Sequence, residues 1–389
     1  MFNSNFGRKL SSRYVRLTMS EQIVRPESSK EIASKIVNEC LRVQPDEQVV
    51  IFAWDHTLDH AAKLALEVEK ARGVSTTLLQ SNDLYWALLR DIPLEQFARR
   101  QKGFLSLLDQ TDAMIQLAGP RDPTEFTKIP GERMVKMVDG AQAVSDKMVE
   151  RKIRSINYPI GLVTRERART YGFNYEEWSR IFNNSINVDH VRIAEQGRKI
   201  ADKIRDGREV RVTASNGTDL RLKLKGRPVH VRDGILDQSD LDLGTRFESL
   251  PAGVIEHAPD EDSAEGTVQF DLPAALAGKK LTGLRWEFKN GHLTQYSATA
   301  NLESFKGLHE NATGDKDRVG SIAIGLNPQA EPIGFLTDRV VVGTVSIAIG
   351  GNNGIGGVNN NVYGNEGTLR RPTLEVDGEK LILEGKLLG

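Results

Sequence analysis

The stretch from Asp46 to Gln80 limits the fold more than any other part of the chain. "DEQVVIFAW" reads as a buried strand, "LDHAAKLALEVEKARG" as a helix stopped by Gly73, and "VSTTLLQ" as the next strand. Strand, helix, strand is the signature of a parallel sheet. The pattern holds on both sides. Upstream, Ile32, Ile36, Val37 and Leu41 recur at helical spacing behind two serines. Downstream, "LEQFARRQKGFLSLLDQT" reads as helix and "DAMIQLAG" as a strand ending at Gly119-Pro120. Helical texture resumes at Thr164 to Tyr171 and continues through "NYEEWSRIFNNSINVD" and "DHVRIAEQGRKIADKIRDG". Residues 26–206 are therefore expected to form an α/β domain with a parallel sheet.

Past Gly207 the period changes from helical to alternating. "EVRVTASNGTDLRLKLKG" alternates apolar and polar residues around Asn216-Gly217, and Asn290-Gly291 and Asp377-Gly378 mark further tight turns. Residues 207–389 are expected to form a β-rich C-terminal domain carrying the active site. Within it, "GSIAIGLN" and "GTVSIAIGGN" echo each other.

Lys plus Arg (52) and Asp plus Glu (53) nearly cancel, so no global field favours nucleic acid or an anionic membrane. The single cysteine, Cys40, excludes an internal disulfide framework and fits a reducing, cytoplasmic compartment. No run approaches the roughly 18 apolar residues of a membrane span. Residues 1–25 contain Arg, Lys and Ser; their first twenty carry no acid, a composition that resembles a transit peptide. The expectation is nevertheless an upstream start or disordered leader, with Met19 as the natural beginning.

Several segments offer chemistry. "WDHTLDH" sets His56 and His60 four residues apart, beside Asp55 and Asp59, just after a strand, where a metal could be shared. "GTVSIAIGGNNGIGGVNNN" fails as a nucleotide loop: it lacks the last glycine of GxGxxG, and no lysine follows for GxxxxGK[ST]. It reads either as a long self-contained loop or as a loop that touches a ligand. Ser346 has no GxSxG or SxxK context that would make it a nucleophile. Glu256 and His257 are neighbours in a strand, so at most one of them faces a given site.

Taken together, "LPAGVIEHAPDEDSAEGTVQFD", "DRVGSIAIGLNP" and "TDRVVVGTVSIAIGGNN" resemble successive blocks of the thermophilic M29 aminopeptidases. The likeness runs over nearly the whole chain from about residue 28. It implies that scaffold, a homodimer, and kinship with Fe(II)-dependent dihydroxypyridine ring-opening dioxygenases. The family's metal ligands do not carry over. The first glutamate falls on Val254, the second on Ser321 and the histidine on Ser346. The tyrosine taken as catalytic falls on Asn353, and the closing His and Asp fall on Arg370 and Pro372.

Losing these groups removes three negative charges and adds one positive, which suits an anion rather than a divalent cation. The reading is a metal-independent hydrolase, without cofactor, acting on a small carboxylate of the aromatic or amide-bearing kind. Glu256, His257, His309 and Asp315 are the candidate bases; Ser321, Asn327, Ser346, Asn352, Asn353, Arg370 and Arg371 would hold the substrate. A non-catalytic binding or structural homologue is the alternative. So is a metal enzyme, peptidase or dioxygenase, with ligands relocated to His56, His60, Glu256 or His257.

Overall fold

A computed structural model describes residues 26–97, 99, 101–361 and 363–388. The leader expectation falls outside them. The parallel sheet is present: Val74–Gln80, Gln48–Trp54, Ala113–Gln116, Arg154–Asn157 and Phe247–Ser249 lie side by side in that order, every pair parallel. Helices pack on it because their apolar residues recur on one face. Ala61, Leu64 and Val68 of the helix Leu58–Lys70 are buried against Val49, Ile51 and Ile115 of the sheet.

The fifth strand comes from beyond residue 207, so the chain returns to the first sheet after entering the second half. One expected helix splits. The turn Leu94–Gln96 and the helix Lys102–Leu108 are separated, because Phe97 packs with Trp86, Leu89 and Ile129 while Leu105 and Leu108 pack with Met114. Two separate cores pull the two ends in different directions.

The second half is antiparallel. Its turn signals act locally: Asn290 and Gly291 have φ of 49° and 78°, and Asp377 and Gly378 have 50° and 87°. Two successive positive-φ residues are what a type I′ hairpin turn requires. The echoing segments become neighbours, with Ala323 opposite Ser346 and Ile324 opposite Val345. They lie inside a five-stranded sheet ordered Gly364–Leu369, Val345–Gly350, Val319–Gly325, Val254–His257, Val229–Arg232. No helix among the described residues is long and apolar enough to cross a membrane.

That sheet positions the site, because its two faces differ. Ile255, Ile324, Val345 and Leu369 pair across it and enter the large core, as do Val229, Ile322 and Ile347. Paired residues of an antiparallel sheet share a face, and their neighbours take the other. The second face therefore carries the row His230, Glu256, Ala323, Ser346, Thr368, with Ser321, Ala348 and Glu366 beside it.

Candidate functional site

The segment from Gln329 to Thr344 lies over this polar face, with Ala330 and Val340 packed on Val254 and Ala323. It is pinned locally. One Asp338 carboxylate oxygen accepts from the backbone N–H of Ile333 (2.7 Å) and of Gly334 (2.9 Å), and the Thr344 hydroxyl donates to Val341 O at 2.8 Å. So held, the turn Asp338–Val340 delivers Arg339 to the sheet. Its Nη2 donates to Glu256 Oε1 at 3.0 Å and lies 3.4 Å from Glu366 Oε2. Arg232 approaches from the other side, its Nε 3.5 Å from Glu256 Oε2 and its Nη1 3.5 Å from the fully buried Glu248.

The carboxylates respond to this field in different ways. Burial opposes the charge of Glu256, but Arg339 and Arg232 together outweigh it and hold its carboxyl below the usual range. Glu366 is pushed up by burial, which Arg339 only partly offsets and the charge of Glu256 reinforces. Glu248 is pushed far up, again by burial. Two carboxyls on one guanidinium are thus driven apart, the pattern that separates acid from base in an active site. Beside them the Ser346 and Thr368 hydroxyls bond to each other at 2.8 Å.

Of the residues singled out in the sequence, Glu256, Ser321 and Ser346 share this face. His257 does not. It points into the core with Val229 and Ile322, its Nδ1 3.1 Å from Pro228 O. His309 is elsewhere, its Nε2 2.8 Å from Asp317 and its ring stacked on Phe305; Asp315 accepts from Asn360 N at 2.9 Å.

The asparagines are committed within the chain. Asn327 is fully buried, donating to Ser185 O and Ala252 O and accepting from Gln329 N and Ala330 N, which leaves nothing for a ligand. Asn352 donates to Glu261 and Gly320 O and accepts from Asn359 N. Asn353, with its amide turned to suit its surroundings, donates to Gly357 O and Asn359 O. The glycine-rich stretch is thus a loop bonded to itself. A Cβ on Gly357 would sit 2.0 Å from the Asn352 side chain, so its glycines make room for its own asparagines. Arg370 and Arg371 lie beyond the strand Gly364–Leu369, exposed in the turn to Thr373–Val376. The strand's residues on the polar face are Gly364, Glu366 and Thr368. Sequence reading missed Arg232, Arg339, Glu248 and Glu366; the available signal was the alternation in "GNEGTL", which puts Glu366 on one face once the register is known.

A divalent metal does not fit this face. Val254, Ser321, Ala323, Ser346 and Thr368 offer weak ligands or none, and the available carboxylates Glu256 and Glu366 both have a guanidinium against them. A bound cation would have to displace Arg339 or share its place. Among the described residues no group of three or more His, Cys, Asp or Glu side chains is arranged to hold a metal ion. His56 and His60 are separately occupied. His56 Nε2 lies 2.9 Å from Gly161 O and its Nδ1 3.0 Å from the Asn82 amide, while His60 packs edge-on to Tyr158 and is pushed down to about 4 by burial.

The fold defines a two-part α/β plus antiparallel β scaffold of the metallopeptidase kind. The chain belongs to the family described as thermophilic metalloprotease (M29), which matches residues 26–338. Wild-type AmpT from Thermus thermophilus has the same fold, with a TM-score of 0.74 at 16% identity, covering 93% of this chain and 99% of that one. The 2,5-dihydroxypyridine dioxygenase from Pseudomonas putida KT2440 follows at a TM-score of 0.62 and 13% identity, covering 93% and 97%. No curated protein matches the chain.

Proposed function

We propose that the protein is a metal-independent hydrolase that cleaves a C–N or similar bond in a small carboxylate. What carries the reading is the split of Glu256 and Glu366 about Arg339. Glu256, tied to two arginines, is too weak a base for the task first given to it. It serves instead to orient Arg339. Glu366, raised by burial, is the general base: it takes a proton from water as the water oxygen attacks the substrate carbonyl, and returns that proton to the leaving nitrogen. Arg339 donates to the oxyanion that develops. The Ser346–Thr368 pair and Ser321 offer hydroxyls to the rest of the substrate. Cytoplasmic location and a homodimer are part of the same proposal, the latter read by light scattering on the eluting protein.

The test is a screen of small acids and their amides with chelator present throughout. Glu366→Gln should lower kcat by about 10²-fold or more with the fold intact. Turnover that vanishes with chelator and returns with Zn²⁺ or Fe²⁺ would defeat the metal-free reading. A second reading, a non-catalytic homologue, is favoured by the mutual satisfaction of Ser346 and Thr368 and of Arg339 and Glu256. It is preferred if acids bind and none is turned over.

A further inference from the structure

A cavity of about 320 Å³ lies between the two halves of the molecule, walled by the helix Gly131–Gly140, by Ala275 and Ala277, by Leu308, and by the segment ending at Gly364. Most of its wall is apolar, with Phe126, Met134, Met137 and Val138 on one side. Its volume is at the lower end for small-molecule sites and too small for a folded partner.

Three polar residues on this wall, Arg167, Asn361 and Tyr363, have unmade hydrogen bonds. Arg167 is 4% exposed, and its Nε has no partner. Its guanidinium donates to Pro120 O at 2.8 Å, hydrogen-bonds the Tyr171 side chain and lies 5.6 Å from the Phe335 ring centre; the charge of Asp122 acts on it, but no carboxylate reaches ion-pair distance among the described residues. A buried charge without a counterion is costly, and one beside an open cavity has room to acquire one. The Tyr363 hydroxyl and the Asn361 Nδ2 are likewise buried without partners, and both residues line the same cavity. The one carboxylate on the wall, Asp139, is at the half-exposed end and is answered by Lys136 at 3.6 Å. Gly364 connects the cavity to the site described above, since it shares a strand and a face with Glu366 two residues on.

We propose that this cavity binds a small monocarboxylate with a branched or aromatic apolar body, its carboxylate on Arg167 and any second polar group on Tyr363 and Asn361. The inference goes beyond the hydrolase reading, since none of Arg339, Glu366, Ser346 and Thr368 lines this cavity, and it rests on binding and not on turnover.

Isothermal titration of the full chain with 3-phenylpropanoate and 4-methylpentanoate, each against its alcohol, tests it. The acids should bind and the alcohols bind at least tenfold more weakly. Tyr363→Phe, which deletes one orphaned hydroxyl, should leave the melting temperature unchanged and shift acid affinity for ligands bearing a second polar group. Val138→Trp, at a half-exposed helix position on the rim, should fold normally and abolish binding. Equal binding of acid and alcohol, no binding of either acid, or full binding by a folded Val138→Trp protein would each overturn the proposal. Acid binding retained in Glu366→Gln, with no turnover found anywhere, would sink the hydrolase reading alone.

Discussion

Arg339 touches two carboxyls at once, and its removal should be felt differently at different pH. Glu256 is held below its ordinary range, so its contribution to stability is present above the unfolded carboxyl value of about 4 and is lost as pH falls through the lower folded value. Arg339→Met removes that contribution and also leaves Glu366 with less to offset its burial. Because Arg339 is 37% exposed, water screens much of the pair, and the expected cost near pH 7 is about 1 kcal/mol. Urea midpoints of the two proteins should separate at pH 7 and draw together as pH is lowered below the ordinary carboxyl range. A cost that is the same at both would mean that Arg339 acts through packing and not through charge.

At the scale of elements, the buried asparagines hold the chain together. Asn327 fixes the end of the helix Tyr175–Ile186, the backbone before Val254, and the turn that starts the Arg339 segment. Asn327→Ala would orphan the buried carbonyls of Ser185 and Ala252 and take the side-chain acceptor from Gln329 N and Ala330 N, the latter keeping Asn327 O at 3.4 Å; each buried group left unpaired costs about 1–3 kcal/mol, of which local water entry recovers part. The expected loss is about 4 kcal/mol in urea unfolding, against under about 1 kcal/mol for the exposed Asn353→Ala. If Asn327→Ala were mild in stability but severe in substrate binding, its role as a ligand residue would be restored.

The same contrast explains what the sequence could convey. Asn290-Gly291 and Asp377-Gly378 were readable because a turn's backbone requirement is satisfied by the two residues themselves. The parallel sheet was readable because apolar period and helix stops are local signals. The identity of the polar face was not, since it depends on pairing between distant strands and on an arginine 83 residues from the glutamate it bonds. Family blocks pointed to Ser321 and Ser346, which share one face, but in the last block to Arg370 and Pro372, where the strand Gly364–Leu369 has already ended.

For the whole molecule, the segment from Asp233 to Ser249 matters because it ties the two sheets together, leaving one at Arg232 and joining the other at Phe247–Ser249. It buries acids. Asp233, 8% exposed and accepting from Ile235 N, is pushed up to about 7 by burial; Asp240 is pushed up to about 6 by burial; Glu248, accepting from Gly234 N, is also raised by burial, well above the usual carboxyl range. An acid whose folded value exceeds its unfolded one binds protons more tightly when folded, so its effect is destabilisation that grows as pH rises from about 4 to the folded value. His60 and His190, both pushed down to about 4 by burial, act oppositely over part of that range, since each must charge on unfolding at acid pH. The slope of wild-type stability alone therefore mixes the two. The difference between Asp233→Asn and wild type isolates the acid: it should move in favour of the variant by about 2–4 kcal/mol between pH 5 and pH 8. Urea midpoints at half-unit steps would read it. A difference constant over that range would show that Asp233 keeps ordinary acidity, and that the link between the sheets is indifferent to the charge buried in it.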